Sequence, residues 1–220
     1  EAIRSAPGSK ARDRYMFRDG KGENGELPPN NWQAVFGGPA WHRITEADGK
    51  PGQWYLHLFA VEQPDLNWEN AEVRAHFEDV LRFWLDKGVD GFRIDVAHGM
   101  IKAPGLPDVL DESNATPEML AAQKMPFWDQ DGVHEIYRNW RKILDSYEGD
   151  RMAVAEAWVS PASRIALYLR PDELANSFNF DFLTSRWTLK DLKRNIDQSL
   201  KAIQDVGAPA SWVFNNHDVV

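Results

Sequence analysis

Cysteine is absent from the 220-residue chain, which excludes disulfide bridges and thiolate metal sites. Runs of basic residues are also missing, and the net charge of -9 argues against nucleic acid as a partner. No apolar stretch has the length of a membrane span, and the first five residues do not have the form of a signal peptide. From these absences we expect a cytoplasmic protein that binds neither nucleic acid nor membranes.

The residues that are present indicate a folded domain. Hydrophobic residues make up 43% of the chain, enough for a sizeable core. Ten Trp and eleven Phe are available, and we expect most of them inside that core.

The most informative segment is residues 88–95, Gly-Val-Asp-Gly-Phe-Arg-Ile-Asp, which predicts a buried strand that ends in a carboxylate. Arg93 and Asp95 are two residues apart, so on a strand their side chains share a face. A cation beside a carboxylate lowers its pKa and keeps it ionised, which is the state that a nucleophile requires. Asp95 is therefore a candidate nucleophile, although a single pair of this kind is also typical of a purely stabilising contact.

Two later segments also place a carboxylate at the end of an apolar strand. Residues 152–158, Met-Ala-Val-Ala-Glu-Ala-Trp, carry Glu156, and residues 211–218, Ser-Trp-Val-Phe-Asn-Asn-His-Asp, carry Asp218. An unpaired charge in an apolar run is costly, which favours a functional Glu156. His217 and Asp218 also fit a simple turn. In a parallel barrel, however, the C-terminal strand ends converge, so we expect one site formed by Asp95, Glu156 and Asp218.

Helical periodicity separates these strands. One helix is expected from Asn70 to Gly88, a second before the Glu156 strand, and a third from a Thr188 cap to Gly207. Residues 177–182, Ser-Phe-Asn-Phe-Asp-Phe, alternate and predict one more strand. Repeated strand-helix units imply an α/β fold with parallel strands. The expected apolar helix faces consist of Val73, Phe77, Val80, Leu81, Trp84 and Leu85; Ile136, Tyr137, Trp140, Ile143, Leu144 and Tyr147; and Leu189, Leu192, Ile196, Leu200 and Ile203.

In its motifs the chain resembles the α-amylase clan of retaining glycosidases, glycoside hydrolase family thirteen. Residues 90–95 are similar to the second signature region of that family, residues 155–158 to the third, and residues 215–218 to the fourth. The run Gln-Pro-Asp-Leu-Asn at residues 63–67 resembles the marker of the oligo-1,6-glucosidase branch.

The resemblance implies a role for each site residue. Asp95 would be the nucleophile, Glu156 the general acid/base and Asp218 the transition-state stabiliser. Arg93 and His217 would contact the substrate and the carboxylates. Val96 follows the nucleophile, where in this branch Val goes with tolerance of α-1,6 linkages, although it also fits plain strand filling. His98 would face the substrate or merely cap the strand.

The same resemblance implies the fold and the limits of the chain. It corresponds to a partial (β/α)8 TIM barrel, about strands 4–7, preceded by a loop-rich inserted subdomain. We expect that subdomain at residues 1–60, where Gly, Pro and Asn are frequent, and the barrel portion at residues 61–220. Barrel strands one to three and eight have no counterpart in the sequence. A sheet without its neighbours exposes its edges, so the chain should self-associate or need the missing strands.

The implied function is hydrolysis of α-glucosidic bonds, α-1,4 and/or α-1,6, in short oligosaccharides, with retention of configuration and no cofactor. The isolated chain would be inactive if the missing strands are required. A trehalose synthase or sucrose isomerase would share every motif, because hydrolysis and transfer differ only in the acceptor. A non-catalytic sugar-binding or scaffold remnant is a further alternative. The acidic run at residues 108–112 could attract a cation, but such runs are usually only solvated, and we expect no metal.

Overall fold

The computed structural model describes residues 1–110, 116, 119 and 123–217. The chain divides into two compact units: residues 1–75 with 100–128, and residues 76–99 with 129–220. The expected boundary at residue 60 concerns an inserted subdomain and a barrel portion, and it stays a prediction.

The first unit contains an antiparallel sheet that the sequence analysis did not predict. The strands of this sheet are β1 (Phe17–Arg18), β2 (Trp41–Thr45) and β3 (Pro51–Leu56), in the order β1-β3-β2. A short helix, α1 (Lys10–Asp13), precedes them. The β2–β3 turn contains Asp48 and Gly49, and Gly49 has φ +82°, which suits a hairpin. Most of residues 1–60 lie outside these elements, and the short strands were hidden among turn residues.

The second unit contains a parallel sheet, as the α/β prediction required. Its strands are β4 (Gly91–Ile94), β5 (Met152–Ala155) and β6 (Asn176–Ser177), in that spatial order. A Cβ atom at Gly91 would lie 2.5 Å from the Met152 carbonyl oxygen. Glycine at this position therefore allows the two strands to approach at the start of their ladder.

The three long helices occur where periodicity predicted them. They are α2 (Ala71–Asp86), α3 (Val133–Asp145) and α6 (Leu189–Gln204), and the shorter ones are α4 (Ala162–Tyr168) and α5 (Phe180–Leu183). The Asn70 side chain accepts a hydrogen bond of 2.8 Å from the amide of Glu72, and Thr188 accepts one of 3.2 Å from the amide of Asp191. Both predicted caps are confirmed.

The apolar face predicted for α3 is buried except at Tyr147, which lies past the end of the helix and is only partly buried, and the faces of α2 and α6 were predicted only in part. Trp84 and Leu200 are about half exposed and Leu189 is 85% exposed. In α6 the buried positions include Asn195 and Ser199 instead. Their side chains hydrogen-bond to residues 179, 181 and 185, so polar contacts decide which face of α6 is buried.

Two predicted strands require correction. The strand at residues 177–182 stops at Ser177, because the Asn179 side chain accepts a 3.0 Å hydrogen bond from the Phe182 amide and begins α5. The strand at residues 211–218 is absent over its described part, 211–217. Since β6 has only two residues, it offers this segment too short an edge for a ladder.

A buried carboxylate links helix α3 to a later loop of the second unit. Glu173 is fully buried and accepts a 2.7 Å contact from Nδ1 of His134. Its other oxygen lies 3.3 Å from Nη2 of Arg138 and also contacts Nη2 of Arg170. One carboxylate therefore joins α3 to the loop that follows α4.

We expect Glu173→Gln to lower the free energy of unfolding by about 1–3 kcal/mol, because it removes a buried charged acceptor from the partly exposed Arg138 and Arg170 and from the buried His134. Urea denaturation followed by tryptophan fluorescence measures this. The control is Asp172→Asn, since the exposed Asp172 contributes only a 3.2 Å contact to Arg138. Equal effects of the two substitutions would contradict the assigned role of Glu173.

Candidate active site

The carboxylates of Asp95 and Glu156 follow the ends of two adjacent parallel strands. Ile94 and Ala155 are register partners in β4 and β5. The Glu156 amide donates to the Ile94 carbonyl at 2.9 Å, and the Ala97 amide donates to the Glu156 carbonyl at 2.8 Å. The ladder thus continues one step past the strands and fixes both residues at the C-terminal edge.

One guanidinium joins the two carboxyl groups. Nη1 of Arg93 lies 2.7 Å from Oδ1 of Asp95, and Nη2 lies 2.5 Å from Oε2 of Glu156. Arg93 and Asp95 are alternate residues whose side chains meet on one face, as the strand periodicity predicted. The Arg93 guanidinium also lies over the ring of Phe178, with 6.0 Å between Cζ and the ring centroid.

The pKa values of the two carboxyl groups shift in opposite directions. Burial raises the pKa of Glu156, assisted by its hydrogen bond to Asp95 and the charge of Asp95, while Arg93 opposes the rise. The hydrogen bond from Glu156 lowers the pKa of Asp95, assisted by the bond and charge of Arg93 and by the charge of His217, against partial burial. Between the two pKa values Glu156 holds the proton and Asp95 is charged.

Solvent exposure agrees with these shifts. The side chain of Glu156 is 8% exposed, whereas that of Asp95 is 72% exposed. A carboxyl group that is shielded from water favours its neutral form, and a solvated one favours its charged form.

Val96 and His98 lie in the turn that follows Asp95. Val96 has φ +45°, a rare conformation for a β-branched residue, and its amide lies 3.5 Å from Oε2 of Glu156. His98 is buried, and its carbonyl accepts a 2.8 Å hydrogen bond from the amide of Asp129. Contact of either side chain with a substrate stays a prediction.

His217 and Asp218 differ in what the structure says of them. His217 is exposed and lies near enough for its charge to lower the pKa of Asp95. Asp218 is outside the described residues, so its predicted convergence with Asp95 and Glu156 is untested. The site that the structure brings together consists of Arg93, Asp95, Glu156 and His217.

An aromatic cluster beside these residues had no assigned role in the sequence analysis. The ring of Trp158 stacks on Phe180 with centroids 3.7 Å apart and an interplanar angle of 11°. Phe178 packs against Phe180 at 6.0 Å and contacts Arg93. The signal in the sequence was the Phe-Asn-Phe spacing, which was interpreted only as strand alternation.

The described residues contain neither a cluster of metal ligands nor a membrane-spanning helix. Among residues 1–110 and 123–217, no three His, Asp or Glu side chains are grouped so that they could hold a metal ion. No helix in the part of the chain that the structure describes is long and apolar enough to cross a membrane.

Comparison with known proteins covers the whole chain. The family model "Alpha amylase, catalytic domain" matches residues 1–220. The oligo-1,6-glucosidase of Parageobacillus thermoglucosidasius is 39% identical over 222 residues, covering 94% of this chain and 37% of that protein. The chain spans about two-fifths of the length of such curated relatives.

Solved structures give the same result. The trehalose-6-phosphate hydrolase of Bacillus licheniformis matches all of this chain and 39% of its own, with 31% identity and a TM-score of 0.79. The trehalulose synthase of Pseudomonas mesoacidophila matches 98% of this chain and 38% of its own, with 29% identity and a TM-score of 0.79. The solved relatives are TIM-barrel enzymes, and the small parallel sheet is consistent with part of such a barrel. Because the family model matches every residue, the chain belongs to the alpha-amylase catalytic-domain family.

Proposed function

We propose that this chain is the part of a retaining α-glucosidase that carries the nucleophile and the general acid/base. The observation that carries the proposal is the carboxyl pair on Arg93, in which Asp95 has a lowered pKa and Glu156 a raised pKa. Two neighbouring carboxyl groups with opposite shifts meet the requirement for an ionised nucleophile beside a protonated acid.

The separation of the carboxyl groups favours retention over inversion. Inverting glycosidases need about 6.5–9.5 Å between them to admit a water molecule, whereas retaining enzymes have about 5–5.5 Å. Nη1 and Nη2 of one guanidinium lie 2.7 Å from Oδ1 of Asp95 and 2.5 Å from Oε2 of Glu156, which favours the shorter separation. A sugar that enters between them would therefore meet Asp95 directly.

The first half of the reaction follows from these protonation states. Asp95 attacks the anomeric carbon and forms an ester with the sugar, while Glu156 gives its proton to the departing glycosidic oxygen. In the second half, the Glu156 carboxylate removes a proton from water, and the resulting hydroxide displaces Asp95 from the sugar. Two displacements at the same carbon return the original configuration.

Arg93 supports both halves because the net charge of the pair does not change. Before attack Asp95 is charged and Glu156 is neutral; afterwards Asp95 is an ester and Glu156 is charged. Arg93 contacts both groups, so its cation pairs with whichever carboxylate is ionised. It needs no large movement during the reaction.

The remaining assignments extend the family resemblance. We propose Asp218 as the transition-state stabiliser, and His217, Val96 and His98 as residues on the substrate side of the site. We also propose that β4, β5 and β6 are the fourth to sixth strands of an eight-stranded barrel, with residues 211–217 at the position of the seventh. A structure of the longer protein that contains this chain tests these assignments directly.

The proposed substrates are short oligosaccharides with α-1,4 and/or α-1,6 glucosidic bonds. The oligo-1,6-glucosidase relative supports this class. The trehalulose synthase neighbour supports an alternative in which the glucosyl group passes to another sugar instead of water. With sucrose, release of glucose and fructose indicates hydrolysis, whereas an isomeric disaccharide indicates transfer.

Two further proposals concern the chain outside its site. Trp187, Leu189 and Phe214 are 74%, 85% and 69% exposed, which supports self-association of the isolated chain or a need for the missing strands. Sedimentation of the isolated chain should show oligomers, and a stable monomer would contradict this.

Zero cysteines supports a cytoplasmic location, which cell fractionation tests.

The first test of the proposed function is the anomeric configuration of the first product. NMR records it while the longer protein that contains this chain hydrolyses its substrate. We expect an α-glucoside to release α-glucose first. We also expect Glu156→Gln to slow hydrolysis of a substrate with a poor leaving group by about 10²–10⁴-fold, because the leaving oxygen is no longer protonated. Formation of the glucosyl-enzyme from an aryl glucoside with an acidic phenol should change much less.

Glu148→Gln, which changes an exposed glutamate in the same unit, is the control and should leave the rates unchanged. Initial release of β-glucose, or full activity of Glu156→Gln on the poor leaving group, would contradict the proposal.

The second test concerns Arg93. A lysine cannot contact both carboxyl groups through adjacent nitrogens, so we expect Arg93→Lys to lower kcat/KM about a hundredfold. The pKa of Asp95 would rise towards its ordinary value, so the acidic limb of the kcat/KM profile should move to higher pH. The control is Arg151→Lys, since Arg151 pairs with Asp90 at 2.5 Å at the opposite end of the same strands. An unchanged acidic limb in Arg93→Lys would show that Arg93 does not set the ionisation of Asp95.

A further inference from the structure

The turn that follows Asp95 has an unfavourable backbone conformation. Val96 has φ +45°, and a β-branched residue adopts such a positive φ only when its surroundings impose it. Val96 directly follows Asp95, and the Val96 amide lies 3.5 Å from Oε2 of Glu156. The contacts that hold the Val96 backbone therefore also affect the positions of the Asp95 and Glu156 carboxyl groups.

Most backbone polar groups of the turn have identified partners. The Val96 carbonyl accepts from the Gly99 amide at 2.9 Å, and the Ala97 amide donates to the Glu156 carbonyl at 2.8 Å. The His98 carbonyl accepts from the Asp129 amide at 2.8 Å. The Ala97 carbonyl accepts from the hydroxyl of Tyr137, a residue of α3. That hydroxyl is a side-chain donor that reaches the turn from a helix outside the sheet.

Tyr137 is well placed to act as a fixed restraint. It is fully buried, and its ring packs against Trp140 at 5.6 Å and Tyr168 at 5.9 Å. Burial, together with the charge of Glu173, holds the pKa of Tyr137 well above its usual range. The phenol is therefore protonated throughout the working range of a glycosidase and always donates to Ala97.

Asp129 also supports the turn, because its amide donates to the His98 carbonyl. Its carboxylate accepts hydrogen bonds from Nε of Arg164 at 2.6 Å and from the hydroxyl of Tyr168 at 2.8 Å. Because Tyr168 also packs on Tyr137, the two supports belong to one buried cluster.

The geometry points to Tyr137 as a positioning residue for catalysis: its hydroxyl holds the Ala97 carbonyl, keeps Val96 in its left-handed conformation, and thereby fixes the Val96 amide on Glu156 and the carboxylate of Asp95. This inference rests on the proposed function of the site and adds a residue that no family motif of the chain contains.

The expected effect on Glu156 has a definite sign. The charged groups that face Glu156 are Arg93 and Asp95, with His217 acting on Asp95, and the Val96 amide is a further donor that lowers the pKa of Glu156. If the turn relaxes, the Glu156 carboxylate loses this donor and its pKa rises. The alkaline limb of the kcat/KM profile, where Glu156 loses its catalytic proton, should then move to higher pH.

The test is Tyr137→Phe in the longer protein that contains this chain, with rates normalised to the folded fraction. We expect the alkaline limb of the kcat/KM profile to move to a pH about half a unit higher, which is the shift that loss of a weak hydrogen bond produces. We expect kcat to fall about tenfold, because the nucleophile is less well placed. The control is Tyr147→Phe, which removes a hydroxyl that donates to Asp86 at 2.7 Å, away from the turn.

A double-mutant cycle with Val96→Gly separates positioning from general stability. Glycine adopts positive φ without strain, so loss of the Tyr137 hydroxyl should have a smaller effect on kcat and on the alkaline limb in the Val96→Gly background. Lower stability of Tyr137→Phe with an unchanged pH profile, or strictly additive effects in the cycle, would overturn the inference.

A direct titration distinguishes failure of this inference from failure of the proposed function. The carboxyl ¹³C shift of Glu156, assigned by its loss in Glu156→Gln, reports its pKa without any turnover. If the wild-type protein hydrolyses no glucoside, the proposed function fails, and the titration still tests Tyr137. If the wild-type protein is active but Tyr137→Phe leaves the Glu156 titration unchanged, only the inference fails.

Discussion

The double contact of Arg93 with Asp95 and Glu156 is the interaction on which the site depends. Two carboxyl groups at adjacent strand ends repel each other when both are ionised. A single cation between them, with one group buried and the other solvated, allows one proton to be shared unequally. The pair then carries one negative charge, which moves from Asp95 to Glu156 in the proposed reaction. Removal of the guanidinium would leave that charge without its partner.

The fold serves this contact by fixing backbone positions. The close pairing of β4 with β5, which Gly91 permits, brings the ends of the strands into register. The turn after Asp95 is then held by hydrogen bonds to Glu156, Tyr137 and Asp129. Strain at Val96 is therefore supported by a buried cluster in the helices and not by the sheet alone.

Much of this could be predicted from the sequence, for identifiable reasons. Period-two alternation put Arg93 and Asp95 on one face, and the caps at Asn70 and Thr188 marked two helices. Prediction failed where a local contact competes with a pattern. Asn179 caps a helix inside an alternating segment, and hydrogen bonds of Asn195 and Ser199 turn Leu189 and Leu200 towards solvent. The sequence did not distinguish Tyr137 from the apolar residues of its helix face, because its hydroxyl bonds to a backbone carbonyl that is distant in sequence and that only the fold brings near.

The central claim, that Asp95 is the nucleophile of a covalent reaction, is tested most directly by trapping the intermediate. A fluorinated glucosyl fluoride, which forms the glycosyl-enzyme faster than water removes it, would be incubated with the longer protein, and the peptides would be analysed by mass spectrometry. The account predicts one hexosyl ester, on Asp95. An ester on another residue, or steady hydrolysis of the reagent with no covalent adduct, would contradict it.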